Sequence, residues 1–194
     1  MARLIFLAVL LMTAGTARAA PGLYAFDQRH GTIGFNVGHF GLFTSEGGFE
    51  RFSGRLTIDP ARLEDTRVEV TIDAASVAIA VPEAASMLKA PDYFDVTQHP
   101  AISFGATSVE RRDDTHFHLR GQLRIRGITR EQAMEIAILD RHADGSGSEV
   151  ADVVASGEIS RGDFGMVADR SFIEDVVRLR ISMRIRFGAA VNGG

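Results

Sequence analysis

Apolar residues recur at every second position through most of this chain, the period of a strand with one dry face and one wet face. The longest case lies near the end, where Val177, Leu179, Ile181, Met183, Ile185 and Phe187 alternate with Arg178, Arg180, Ser182, Arg184 and Arg186. Phe117, Leu119, Leu123 and Ile125 alternate in the same way with His118, Arg120, Gln122, Arg124 and Arg126. Shorter stripes are Val68, Val70 and Ile72, and Ile33, Phe35 and Val37. Further strands are expected near Phe52–Asp59, Ala101–Arg111, Glu131–Arg141 and Val150–Asp163, which makes about eight in all. Asp59-Pro60, Asp113-Asp114 and Asp144-Gly145-Ser146-Gly147 punctuate them as turns. One segment breaks the rhythm. Pro82–Ala90 has proline for a first helical turn, good helix formers and Pro91 beyond as a stop, so it predicts a short helix between strands.

Strands with one apolar face each must bury that face, either in two packed sheets or in a closed barrel. The charged second face of the longest strands favours closure, since an open sheet would leave an edge unpaired. The expected class is therefore all-β: an antiparallel, eight-stranded barrel with one short helix. A barrel of eight strands is either filled by its own side chains or wide enough for one small ligand. The 13 phenylalanines suit either outcome, so composition does not separate a filled barrel from a loaded one.

The first residues read as an address. Arg3 precedes an apolar run, Leu4–Met12, that falls short of the roughly 20 residues needed to cross a bilayer. The small-residue pattern Ala17-Arg18-Ala19 then predicts a signal-peptide cleavage after Ala19. Residues 20–194 form the expected mature domain, periplasmic and without stable membrane insertion. No cysteine is present, which excludes thiol catalysis, thiolate metal sites and disulfides. The formal charge of −4 argues against a nucleic-acid partner, because no basic excess exists to displace phosphate counterions.

No nucleophile elbow, phosphate-cradling loop or zinc-protease helix motif occurs. His116 and His118 share a strand face, a workable spacing for a metal, but they do so beside an acidic turn and read as a solvated hairpin. The acids Asp27, Glu46, Asp59, Asp92 and Asp95 are scattered, and nothing fixes two of them at glycosidase spacing. His39 is in phase with Ile33, Phe35 and Val37 at the end of an apolar stripe. It suits either a pocket mouth, where a ligand head meets a donor, or a structural histidine bonded to a carbonyl. Arg161 and Asp163 continue the phase of Ala155, Gly157 and Ile159, and pairing with each other is their simplest expected role.

Several blocks in order resemble the YceI-like polyisoprenoid-binding proteins. They are Tyr24-Ala25-Phe26-Asp27 with His30, Ile33-Gly34-Phe35-Asn36-Val37-Gly38-His39, and Gly47-Gly48-Phe49-Glu50-Arg51-Phe52-Ser53-Gly54. Asp92-Tyr93-Phe94-Asp95 with His99-Pro100, Gly121–Thr129, and Ser160-Arg161-Gly162-Asp163-Phe164-Gly165-Met166 complete the series. The chain departs from the family pattern at Ala84 and Ala85, where an Arg-Asp pair is usual, and at Tyr93, where a phenylalanine is usual. The resemblance implies an extended lipocalin-like barrel that holds an isoprenoid lipid, a polyprenyl phosphate or a quinone, without catalysis or cofactor. Stripes and blocks together mark Ile33, Phe35, Val37, His39, Phe49, Val70, Ile72 and Phe94 as candidate ligand-binding residues. Phe104, Leu123, Ile125, Arg161, Asp163, Phe164, Leu179 and Ile181 complete the set, with head-group roles expected of His39, Arg161 and Asp163. A homodimer is compatible with this reading. Two other functions stay open at this level: a hydrolase acting on a lipid, amide or ester in the same pocket, and a ligand-free stress-response domain.

Overall fold

The computed structural model describes residues 22–58, 62, 65–145 and 148–187. The expected leader, residues 1–19, lies outside the described residues, as do the Asp59-Pro60 turn and Ser146-Gly147. The described chain forms eleven strands. They are β1 (Gly22–Asp27), β2 (Gly31–His39), β3 (Phe43–Phe49), β4 (Phe52–Ile58), β5 (Arg67–Asp73) and β6 (Val77–Ile79). After a helix, α1 (Pro82–Lys89), come β7 (Ala101–Arg111), β8 (His116–Ile125), β9 (Ile128–Ala143), β10 (Glu149–Ser160) and β11 (Ile173–Phe187). All belong to one curled antiparallel sheet in the order β1-β4-β5-β7-β8-β9-β10-β11-β2-β3-β6.

Eleven strands rather than the expected eight are a correction with a simple cause: three long passes are each broken once. β1 pairs with β4 while β2 pairs with β3, and β3 runs directly into β4. Likewise β5 pairs with β4 and β6 with β3. Thus β1 and β2, β3 and β4, and β5 and β6 are halves of single passes that bend at one seam. The bends are polar. At residues 28–30, Asp27 accepts from the Arg29 N–H at 2.9 Å. Arg51 donates its N–H to Ser76 Oγ at 3.0 Å, while its carbonyl accepts from the Asp73 N–H at 3.0 Å. A short 3-10 turn, Ala74–Ser76, starts with the Asp73 side chain accepting from the Ala75 N–H. Because β1-β4-β5 at one end of the sheet and β2-β3-β6 at the other are halves of the same three passes, the wall curls round on itself.

The alternation predicted for the strands sorts the faces. Ile33, Ile72, Ile102, Leu123, Ile125 and Ile159 turn inward and pack with Phe52, Phe164 and Met166 in a buried core. Three of the four arginines of β11 turn outward onto acids of β10 and its entry turn: Arg184 on Asp152 at 2.7 Å, Arg178 on Glu158 at 3.1 Å and Arg186 on Asp144 at 3.1 Å. These exposed pairs neutralise the charged face more than they stabilise it. Helix α1 begins with proline, as expected, and ends at Lys89, two residues before Pro91. It packs beside β6, at the end of the wall where β2 stops and β11 starts. Among the described residues, no helix is long and apolar enough to cross a membrane.

Candidate functional site: an apolar cavity with polar ends

The inward faces do not fill the space they enclose. A cavity of about 390 Å³ remains, lined almost entirely by carbon. Rings are held back from it by glycines. Phe35 lies over Gly47, its partner on β3, so closely that a Cβ there would come within 2.4 Å of the ring. Phe26 lies over Gly54 in the same manner, and Phe104 over Gly121. An aromatic ring set over a cross-strand glycine takes the space that a side chain there would fill, and so occupies wall rather than lumen. This is how a chain rich in phenylalanine keeps an open interior.

Of the candidate residues, Ile33, Phe35, Val37, His39, Phe49, Val70, Ile72, Phe94, Phe104, Leu123, Ile125, Arg161, Leu179 and Ile181 line the cavity. Asp163 and Phe164 do not. β10 ends at Ser160, and Arg161–Phe164 form a 3-10 turn, so the strand phase on which Asp163 was placed stops there, while Phe164 was marked by its sequence block alone. Asp163 points to solvent, and Phe164, 2% exposed, belongs to the packed core. The lining also includes residues that the strand pattern alone did not mark. Met87 and Leu88 reach in from α1, Tyr93 from the turn that follows, and Thr66 and Gln132 from strand-phase positions.

Polar groups are confined to a few points. At the helix end, Arg161 is 4% exposed and does not pair with Asp163, contrary to expectation. Its guanidinium instead donates to three carbonyls: Nε to Glu174 at 3.0 Å, and the terminal nitrogens to Met166 at 2.9 Å and Ile173 at 3.1 Å. The nearby carboxylate is Asp175, which accepts from the Ser160 hydroxyl and from the Gly162 N–H at 3.0 Å. These bonds, the first above all, hold the Asp175 carboxyl below its ordinary range, against the opposing effect of partial burial. Opposite Ile173 stands His39, whose Nε2 is buried without a partner. That removes the reading in which this nitrogen is bonded to a backbone carbonyl. Tyr93 donates its hydroxyl to Asp169 at 2.5 Å, and burial, aided by that bond, pushes the phenol up to about 12. Tyr93 is thus a neutral donor, and its carbonyl is held by Arg126.

The same end carries an apolar rim. The β2–β3 hairpin turns through Phe40 and Gly41, both with positive φ, and presents Phe40, Leu42 and Phe43 to solvent, Leu42 being 81% exposed. Positive φ is unusual for a bulky residue. Here the Phe40 ring is held against Phe172, centroids 5.3 Å apart, and its N–H donates to the Phe172 carbonyl. Met87 both lines the cavity and is 40% exposed, so it stands between interior and solvent.

The histidines of the β8 hairpin stay apart from all this. His116 bonds Asp113 at 3.0 Å and His118 bonds Glu135 at 2.7 Å, each with its own acid. Among the described residues, no group of three or more metal-ligating side chains forms.

A wall of bent strands around an apolar cavity, with these sequence blocks in order, has known relatives. The model of the YceI-like domain matches residues 24–185. The chain belongs to the YceI-like family. Protein YceI of Salmonella arizonae is 29% identical over 177 residues, covering 91% of this chain and 92% of that protein. The YceI-like fold recurs in solved structures. Burkholderia cenocepacia BcnA superposes with a TM-score of 0.74 at 19% identity, over 82% of this chain and 98% of its own. A polyisoprenoid-binding domain from Saccharophagus degradans, implicated in plant cell wall breakdown, superposes with a TM-score of 0.60 at 12% identity, over 87% and 100%.

Proposed function

We propose that this protein is a non-catalytic carrier of an isoprenoid lipid, either a polyprenyl phosphate or a quinone, which it holds by the apolar chain in the periplasm. The observation that carries the reading is the carbon-lined cavity with its polar atoms set at the ends. Each buried methylene contributes roughly 0.8 kcal/mol, so a few prenyl units bind tightly without a hydrogen bond. The tail therefore supplies affinity and the helix end supplies selection. Arg161 spends three donors on carbonyls and keeps others for an anionic or carbonyl head. His39 Nε2 stands ready as a donor or acceptor beside it. The rim of Phe40, Leu42, Phe43 and Phe172 gives cargo an apolar approach to that end.

A carrier rather than a hydrolase is supported by the arrangement of the polar lining. Ser45 and His39 line the cavity from neighbouring strands, yet among the described residues no hydrogen bond links them and no carboxylate orients the imidazole. The test is a detergent-free titration with a polyprenyl phosphate and with a quinone. Wild type is expected to take up one molecule, and Ala155→Phe, which projects a ring from β10 into the lumen, to bind far less while folding normally. No uptake of either lipid by wild type would end the proposal.

A further inference from the structure

Three buried side-chain polar atoms among the described residues lack a hydrogen-bond partner: His39 Nε2, Thr66 Oγ1 and His118 Nε2. His118 lies on the opposite face of β8 from the lining residues Phe117 and Leu119. The residues that carry the other two, His39 and Thr66, line the cavity and sit at its opposite ends. His39 faces Ile173 at the start of β11. Thr66 directly precedes β5, whose first residue pairs with Thr57, close to where β4 finishes. Between them the wall is nearly all carbon.

Thr66 continues the inward phase of Val68, Val70 and Ile72, where strand alternation asks for an apolar side chain. Valine has the same shape and no hydroxyl to leave unsatisfied. The residue is only 5% exposed, so solvent does not serve the hydroxyl from outside. Its backbone carbonyl is already used, accepting from Arg67 at 3.0 Å, which leaves the side chain alone over. A buried hydroxyl without a partner destabilises a wall, and a wall built to hold a ligand gives it a use.

We infer that Thr66 is a second polar subsite, which takes a hydroxyl or carbonyl oxygen borne at the far end of the apolar chain whose head lies by His39 and Arg161. The inference rests on the carrier reading and adds to it a preference, among isoprenoid chains, for those that bear an oxygen at the far end. A homologous series of linear polyprenoic acids carrying an ω-hydroxyl, each compared with the plain acid of equal length, tests it by equilibrium titration. At the length that spans the cavity, wild type is expected to prefer the ω-hydroxy acid by about three- to tenfold, the worth of one neutral hydrogen bond. Thr66→Val should erase that preference without weakening the plain acid, and Thr66→Ser should keep it. Equal affinities across the whole wild-type series would overturn the subsite while leaving the carrier reading intact. A preference that survives in Thr66→Val would overturn it as well. Failure of every acid in the series to bind would instead count against the carrier reading itself.

Discussion

Replacing Arg161 by methionine separates two roles that the geometry gives this side chain. Methionine keeps the length and removes every donor. The Met166 carbonyl sits in a fully buried bond, so stranding it costs ~1–3 kcal/mol. The Glu174 and Ile173 carbonyls are half-buried, and water takes over part of the guanidinium's work there, so each costs about 1 kcal/mol or less. Removing a buried cation returns some of this, because its desolvation opposes folding. The net expectation is a loss of about 3 kcal/mol. For a chain of this size that lowers Tm by ~6–12 °C. Urea unfolding of the ligand-stripped protein, followed by circular dichroism because the chain has no tryptophan, gives the measurement. Arg161→Lys should fall in the same direction, since a single ammonium cannot span three carbonyls. If Arg161→Met unfolds with the wild type and loses only affinity for anionic ligands, the guanidinium is a head-group cation and not part of the frame.

Three other outcomes follow from the same contacts. Gly47→Ala should drive the Phe35 ring into the lumen, lowering ligand affinity and stability together, the latter by ~1–3 kcal/mol, as read by titration and by thermal unfolding. Asp175, held below the ordinary carboxylate range, contributes stability that is fully present above about pH 4 and is lost as pH falls through its depressed value. Asp175→Asn should therefore be less stable than wild type at neutral pH, with a gap that closes in acid, measured by unfolding at a series of pH values. Leu42→Asp should slow uptake of a quinone from lipid vesicles while leaving the final affinity within about twofold, because the hairpin tip lies outside the cavity lining.

Strand phase made most of the wall legible, because a period of two leaves little choice of face once one face must be dry. Ile33, Phe35 and Val37, and Leu179 and Ile181, come to the lumen for that reason. Phase failed where the backbone leaves the strand. Asp163, expected in phase with Ala155, Gly157 and Ile159, faces solvent because Arg161–Phe164 turn as a 3-10 helix, which local pattern at the end of a long strand does not announce; Phe164, marked by its sequence block, packs in the core beside the lining. Two of the three seam bends were hidden for a different reason: Arg51 meets Ser76 and Asp73 only after the sheet has formed, and no local signal encodes a partner that distant. Open space itself was not readable from composition. It depends on Phe35 meeting Gly47, and Phe26 meeting Gly54, across strand pairs whose register the chain alone does not print. Thr66 was legible in principle, as the one hydroxyl in phase with Val68, Val70 and Ile72.

The central claim is that the cavity holds an isoprenoid chain, and native mass spectrometry tests it most directly. The protein is purified without detergent, and an organic extract of the same sample is analysed for lipids. The account predicts a one-to-one adduct whose mass matches an isoprenoid lipid in the extract, and its loss in Ala155→Phe. A bare mass, unchanged after incubation with quinones or polyprenyl phosphates, would contradict it.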